Sequence, residues 1–254
     1  MRFRRILMAT CFIGGLAALP ACGTAAFAAE QVNSAIEPDA VAALTRMGSY
    51  LRSLQALEVN IDTVREEVDD HDQKLQFLGR TTYRAKRPDG LVVDISEDRR
   101  IRHFVYDGKT ATLFAPRMGY YTSVSAPPTI KQLLDVMADK YGIVLPIEDL
   151  FYWGTDSDGR ANLTRGYLVG YAKISGQDAD QYAFREDGLD WQIWIARGNK
   201  PLPLRVVISD TTDPKLPQLE ASLNWNTAPE FAPGTFAFKP PADAKRIPID
   251  TIAH

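Results

Sequence analysis

Apolar residues recur every three or four positions early in the chain. Val41, Leu44, Met47, Leu51 and Leu54 form one stripe, Pro38 suits a first helical turn, and Glu37 and Asp39 place negative charge at that end. The spacing predicts an amphipathic helix over 38–56, and its stripe needs a partner surface. From Leu57 the period drops to two, with Leu57, Val59 and Ile61 alternating with Glu58, Asn60 and Asp62. After the polar turn Asp69-Asp70-His71-Asp72-Gln73, strand-like segments follow at 74–86, 91–97, 101–106, 110–115 and 120–124. Asp89-Gly90 and Asp107-Gly108 fall between consecutive strands, a hairpin signal, so the run reads as an antiparallel meander without helical crossovers.

A second helical stripe interrupts the strands. Ile130, Leu133, Leu134, Met137 and Tyr141 share one face over 129–141, Thr129 caps it and Gly142 stops it. A further short helical piece at 146–153 carries Ile147, Leu150, Phe151, Tyr152 and Trp153, and a polar loop follows at 154–162. Strand patterns resume at 163–175, 181–186, 189–196, 204–211 and 218–226, with Asp187-Gly188 as another hairpin turn, before a tail bearing Phe231, Phe236, Phe238 and Pro240-Pro241. An antiparallel sheet with one solvated face needs apolar cover on the other, and the two helical segments are the candidates. The predicted fold class is α+β: a strongly curved antiparallel sheet of about 10–11 strands, an open half-barrel with helices on its concave side.

The leader changes where this fold works. Arg2, Arg4 and Arg5 precede an apolar run from Ile6 to Leu19, and small residues end at Ala26-Phe27-Ala28-Ala29. That is a charged n-region, an apolar h-region and an A-x-A cleavage site, which divides the chain into a signal peptide at 1–28, a flexible tether at 29–36 and a single domain at 37–254. The expected location is the periplasm. A competing reading is a lipobox at Leu19-Pro20-Ala21-Cys22, which would anchor the protein to a membrane through Cys22; Pro20 fits such a motif poorly. Both cysteines, Cys11 and Cys22, lie in the leader, so the cut chain holds no disulfide and depends on its core. Loss of the three leader arginines takes the formal charge from −3 to −6, and without a Lys/Arg cluster this argues against nucleic acid as a partner.

Motifs for catalysis are missing. His71 sits in an acidic turn, His103 in a strand and His254 at the end, with no second His or Cys at ligand spacing. No G-x-S-x-G, Walker or dinucleotide-binding glycine pattern occurs, so the expected catalytic, metal and cofactor sets are empty. Asp69-Asp70-His71-Asp72 has close carboxylates that could hold calcium but lacks an EF-hand's glycine and distal glutamate; Asp156-Ser157-Asp158-Gly159 invites the same idea, and both read better as turns. Arg80 and Arg84 share one strand face and Arg87 the other; they bind an anion or pair with carboxylates such as Asp94 and Glu97. The helical insertion has more apolar surface than its own packing needs. Leu133, Leu134, Met137, Phe151, Tyr152 and Trp153, with Trp191 and Trp194 facing the same interior, form either core or an apolar ligand pocket.

Three segments carry a family resemblance: Tyr106-Asp107-Gly108-Lys109 followed by Tyr120-Tyr121, Trp191-Gln192-Ile193-Trp194 followed by Pro201-Leu202-Pro203-Leu204-Arg205, and the tail Phe236-Ala237-Phe238-Lys239-Pro240-Pro241-Ala242-Asp243-Ala244. With the leader they resemble a family of predicted periplasmic proteins defined as a domain of unknown function, and more distantly the Lol-type lipoprotein carriers. The resemblance implies an open half-barrel lidded by helices that shelters acyl chains, with Arg80 or Arg84 in the place of the carriers' lid-locking arginine. It implies a non-enzymatic binding protein whose partner is a hydrophobic ligand such as a lipid or a lipoprotein acyl chain. The alternative is an envelope interaction or sensor domain that binds a protein partner and whose interior is simply core.

Overall fold

The computed structural model describes residues 35–251. The signal peptide, Cys22 and residues 29–34 of the tether lie outside the described residues. The last two tether residues are already paired to the sheet: Gly166 N–H donates to Ala35 O (2.9 Å), and Glu37 N–H donates to Gly166 O (2.7 Å). Helix α1 (Pro38–Ser53) buries Ala40, Ala43, Leu44, Met47 and Leu51. It ends before Ala56 because Leu54 turns extended. Arg87 then donates to the freed carbonyls, through Nε to Leu54 O (3.1 Å) and through its backbone N–H to Gln55 O (2.8 Å).

Strand β1 (Ala56–Val68) is followed by β2 (Lys74–Lys86), β3 (Gly90–Glu97), β4 (Ile101–Tyr106), β5 (Thr110–Ala115) and β6 (Tyr120–Ser125). Helix α2 (Ile130–Tyr141) and a 3₁₀ turn at Glu148–Phe151 make up the insertion. The second run is β7 (Leu163–Ile174), β8 (Gln177–Glu186), β9 (Leu189–Ala196), β10 (Pro203–Asp210) and β11 (Gln218–Asn226), with a two-residue β12 (Lys245–Arg246) in the tail. All twelve form one open sheet in the order β12-β6-β5-β4-β3-β2-β1-β11-β10-β9-β8-β7. It is antiparallel except for β12, which lies parallel to β6. Strand β8 begins earlier than the sequence pattern suggests. Ser175 (φ 47°) and Gly176 (φ 82°) form a tight turn with left-handed backbone at both central residues, so pairing starts at once with Ile174 opposite Gln177.

Two meanders are joined by the pairing of β1 with β11. That join leaves β6 and β7 at opposite ends of the antiparallel sheet, so residues 126–162 must cross between them, and they cross the concave face. There α1, α2 and the 3₁₀ turn pack against Val59, Ile61, Tyr83, Val93, Phe104, Ile193 and Val206 in one apolar core. Two buried tyrosines of the sheet hold the insertion: Tyr106 donates its hydroxyl to Pro127 O (2.5 Å) and Tyr83 to Pro146 O (2.6 Å). Gly48 on α1 and Gly154 after the insertion meet backbone to backbone. A Cβ added at Gly48 would lie 2.5 Å from Gly154 N and 2.8 Å from the Trp153 carbonyl carbon.

The tail covers the convex face of the first meander. Phe238 packs against Phe114 (5.8 Å between ring centroids) and Tyr121 (5.4 Å), Phe236 sits over Gly90, and the chain ends its crossing at the β6 edge.

The Gly48 contact gives a direct test of the docked insertion. Alanine usually stabilises a helix interior relative to glycine by about 0.5–1 kcal/mol, but here the methyl group enters occupied space. Gly48→Ala is expected to cost about 1–3 kcal/mol, read as a lower urea midpoint at unchanged slope; a gain in stability would show that α1 and the insertion are not in contact. The tyrosine tethers give a second test. Burial, and then the nearby carboxylates of Asp89 and Asp107, push the Tyr106 phenol from its ordinary 10.0 up to about 12. Below pH 10 both the folded and the unfolded chain keep this proton. Between pH 10 and about 12 only the unfolded chain releases it, so this share of stability is lost as pH rises. Tyr106→Phe should therefore lose less stability than the parent over that window, while being about 1 kcal/mol weaker at neutral pH through the lost hydrogen bond. Urea unfolding at several alkaline pH values measures both effects, and parallel stability curves for the two proteins would refute the assignment.

Candidate ligand-binding cavity

The concave face changes character along β1 and β2. On β1 the inward positions run Leu57, Val59 and Ile61 and then Thr63, Arg65 and Glu67; on β2 they run Ala85, Tyr83 and Thr81 and then Gly79 and Phe77. The packed insertion covers the first part, and the β1–β2 hairpin overhangs beyond it. A cavity of about 670 Å³ opens there, between the hairpin, the C-terminal end of α2 and the segment that follows it. That volume falls within the usual range for small-molecule sites, about 300–1,000 Å³.

Its floor is apolar, made by Phe77, Ala138, Val144, Pro146, Ile147 and Leu219. The segment 142–147 reaches this position because Gly142 ends α2 in the left-handed region (φ 66°), donating its N–H to Ala138 O (3.2 Å), and Ile147 (φ 57°) turns the chain again into the 3₁₀ turn. Gly79 keeps the floor open: a Cβ there would lie 2.7 Å from Thr63 Oγ1. The mouth is charged. Arg65 pairs with Glu67 and Arg100 with Glu97 (2.5 Å), Asp98 accepts the Leu78 N–H (2.9 Å), and the Arg99 guanidinium stands 4.2 Å above the Phe77 ring centre. Thr63 is the one hydroxyl among the lining residues, and no His or Cys lines the cavity. The arrangement suits an amphiphile, with its apolar part on the floor and its polar part at the mouth.

The residues proposed from sequence lie elsewhere. Leu133, Leu134, Met137, Phe151, Tyr152, Trp153 and Trp191 are brought together in the closed core, none more than 3 % exposed. Tyr152 donates its hydroxyl to Asp135 Oδ1 (3.0 Å), and Trp191 stacks on Phe184 (4.4 Å between centroids). Trp194, three positions further along the strand, falls on the convex face beneath the Arg205 guanidinium (5.5 Å). The cavity has Met137's neighbour Ala138 in its wall but none of these eight side chains.

The arginines sort by face. Arg80 is paired with Asp62 through Nε (2.6 Å) and Nη2 (3.0 Å), and Arg84 bridges Glu58 (2.9 Å) and Asp94 (2.6 Å), both on the convex side. Hydrogen bonds from His103 and Arg84 hold the Asp94 carboxyl below its ordinary range against burial, which raises it. Arg87 is the one that reaches the insertion, lying 5.8 Å from the Phe151 ring centre; burial, and then Arg52, lowers its pKa. The acidic turns are self-satisfied. Asp69 Oδ1 accepts the N–H groups of His71 and Gln73 (both 2.9 Å), and Asp158 accepts those of Gly154 (3.1 Å) and Arg160 (3.2 Å). Among the described residues no group of three or more His, Cys, Asp or Glu is placed to hold a metal, and no helix is long and apolar enough to cross a membrane.

Among solved structures the chain is similar to an uncharacterized conserved protein from Thermus thermophilus, at 13% identity and TM-score 0.47, over 82% of this chain and 98% of that one. It is also similar to LprF from Mycobacterium bovis (14%, TM-score 0.42, 83% and 100% of the two chains) and to a LolA superfamily protein from Nitrosomonas europaea (12%, TM-score 0.37, 78% and 97%). At that distance likeness says nothing of what this chain binds. No curated protein matches the sequence. The family described as "Predicted periplasmic protein (DUF2092)" matches residues 40–250, and the chain belongs to that family.

Proposed function

We propose that this is a non-enzymatic periplasmic binding or carrier protein for a hydrophobic ligand, a lipid or the acyl chain of a lipoprotein. The observation that carries this reading is the cavity of about 670 Å³ with an apolar floor and a charged mouth. Its carboxylates at Glu67 and Glu97 are engaged by arginines, an arrangement for holding a ligand at the rim more than for moving its protons. Seven of the eight residues proposed from sequence enter as packed core on the concave side, and they contact a ligand only in a form where the insertion lifts from the sheet; Trp194, on the convex face, has no part in it. The close packing of the seven favours a second reading, the envelope interaction or sensor domain with a closed core.

Export rests on the leader. Cleavage after Ala28 is favoured over anchoring at Cys22, because the A-x-A site is well formed and Pro20 weakens the lipobox. Intact-mass measurement of envelope material is expected to give a chain starting near Ala29, and a diacylglycerol adduct on Cys22 would reverse the assignment.

Ligand binding is tested by filling the cavity. The parent protein is expected to bind an acyl-chain fluorophore, and Val144→Trp to bind it about tenfold or more weakly at an unchanged folding midpoint, since Val144 lines the floor and is only partly buried. Trp153→Ala should instead cost about 3–5 kcal/mol of folding stability, as befits a core side chain. A parent protein that binds no acyl probe would sink the carrier reading and leave the interaction domain.

A further inference from the structure

Resting on that reading of the cavity, we propose that its ligand carries an anionic head group, a carboxylate or a phosphate, seated on Arg99 at the mouth. The charges around Phe77 do not cancel locally. Arg65 and Arg99 flank its ring, 5.7 Å and 4.2 Å from the centre, and the two guanidinium groups share one carboxylate, Glu67. Glu67 is in contact with Arg65 and stands 3.9 Å from Arg99. Of the other carboxylates of the rim, Glu97 is paired with Arg100, Asp98 keeps its charge while accepting the Leu78 N–H, and Asp139 on the far wall is engaged as well. Among the described residues Arg99 has no closer carboxylate than Glu67 and makes no hydrogen bond, and its side chain is 71% exposed.

The aromatic face gives this arginine a seat. A guanidinium held over a ring is oriented by the ring's negative face, and its N–H edges remain turned outward for an acceptor. Two parallel N–H donors match the paired oxygens of a carboxylate or phosphate better than a hydroxyl, and they repel an ammonium. Phe77 belongs to both the apolar floor and the arginine pair. A single molecule can therefore place its tail on Val144, Ile147 and Leu219 and its head on Arg99. Because Arg99 is exposed, the attraction is screened by salt and sets the choice of head group more than the total affinity.

The test uses four single-chain probes of equal tail length on the purified protein at neutral pH: dodecanoate, dodecyl phosphate, dodecanol and dodecylammonium. Titration calorimetry is expected to show at least one of the two anions bound about tenfold more tightly than the alcohol, and the ammonium weakest. Comparison of the two anions distinguishes a carboxylate from a phosphate head. Arg99→Gln should remove most of that preference, Arg99→Lys should restore part of it by returning charge without the fork, and Arg80→Gln on the convex face should leave it in place. Raising the salt concentration should shrink the preference in the parent and have little effect on Arg99→Gln. Equal binding of dodecanoate, dodecyl phosphate and dodecanol, or a preference that survives in Arg99→Gln, overturns the anionic head group and leaves the cavity reading intact. No binding of any of the four overturns both.

Discussion

The pairing of β1 with β11 is the constraint on which the rest of the molecule depends. It joins residues 58–65 to 219–226 and fuses two meanders into one sheet. Once those strands are neighbours, β6 and β7 are pushed toward opposite ends of the antiparallel sheet. The chain between them cannot turn back in a short hairpin and must traverse the hollow of the curved sheet. The apolar residues of α2 and the 3₁₀ turn follow from that route: a segment crossing the inside of a half-barrel replaces water over its whole length. Helix α1 fills the remaining space, and the contact of Gly48 with Gly154 lets two backbones approach where side chains would hold them apart.

The same filling determines where a ligand has room. Most of the hollow is occupied by close-packed side chains, and the cavity opens at the end of the β1–β2 hairpin that projects past the insertion. There the inward positions turn from aliphatic to mixed, and the sheet presents Phe77 together with charged groups instead of a continuous apolar wall. Binding at such a place needs no opening of the core. Under the proposed function, the mouth with its few arginines would weigh more in selectivity than the aromatic interior.

Much of the fold was legible because its signals are local. The strands at 74–86, 101–106, 110–115, 189–196 and 218–226 have the bounds that alternation and flanking turns imply, and α2 starts after its Thr129 cap and stops at Gly142. Strand β8 was read short because Ser175-Gly176 is a weaker turn signal than Asp-Gly. The β1–β11 pairing has no local signature at all. The aromatic and aliphatic residues of the insertion were correctly seen as inward-facing, but periodicity shows which face is buried and cannot say whether space is left against it. Trp194 could have been separated from Trp191 by parity alone, since three positions along a strand reverse the face. The cavity left a trace in the change from Ile61 to Thr63 and Arg65 and in Gly79 opposite, a trace that a solvated hairpin end would share. Burial of the convex positions Val92, Val105 and Thr112 depends on a tail with almost no regular structure, and so on no periodicity.

That tail also shields the sheet beneath it from other chains. A chain ending near Asn226 would contain all the long strands and both helices, yet it would leave Phe114, Tyr121, Val92 and Val105 without their cover and the β6 edge without β12. An apolar patch beside an unpaired strand edge is what chaperones and proteases engage and what neighbouring chains pair with. Because Phe231, Phe236 and Phe238 follow β11, the convex face of the first meander stays open until residues past that strand are in place. A chain without that stretch would expose this patch although its core were complete.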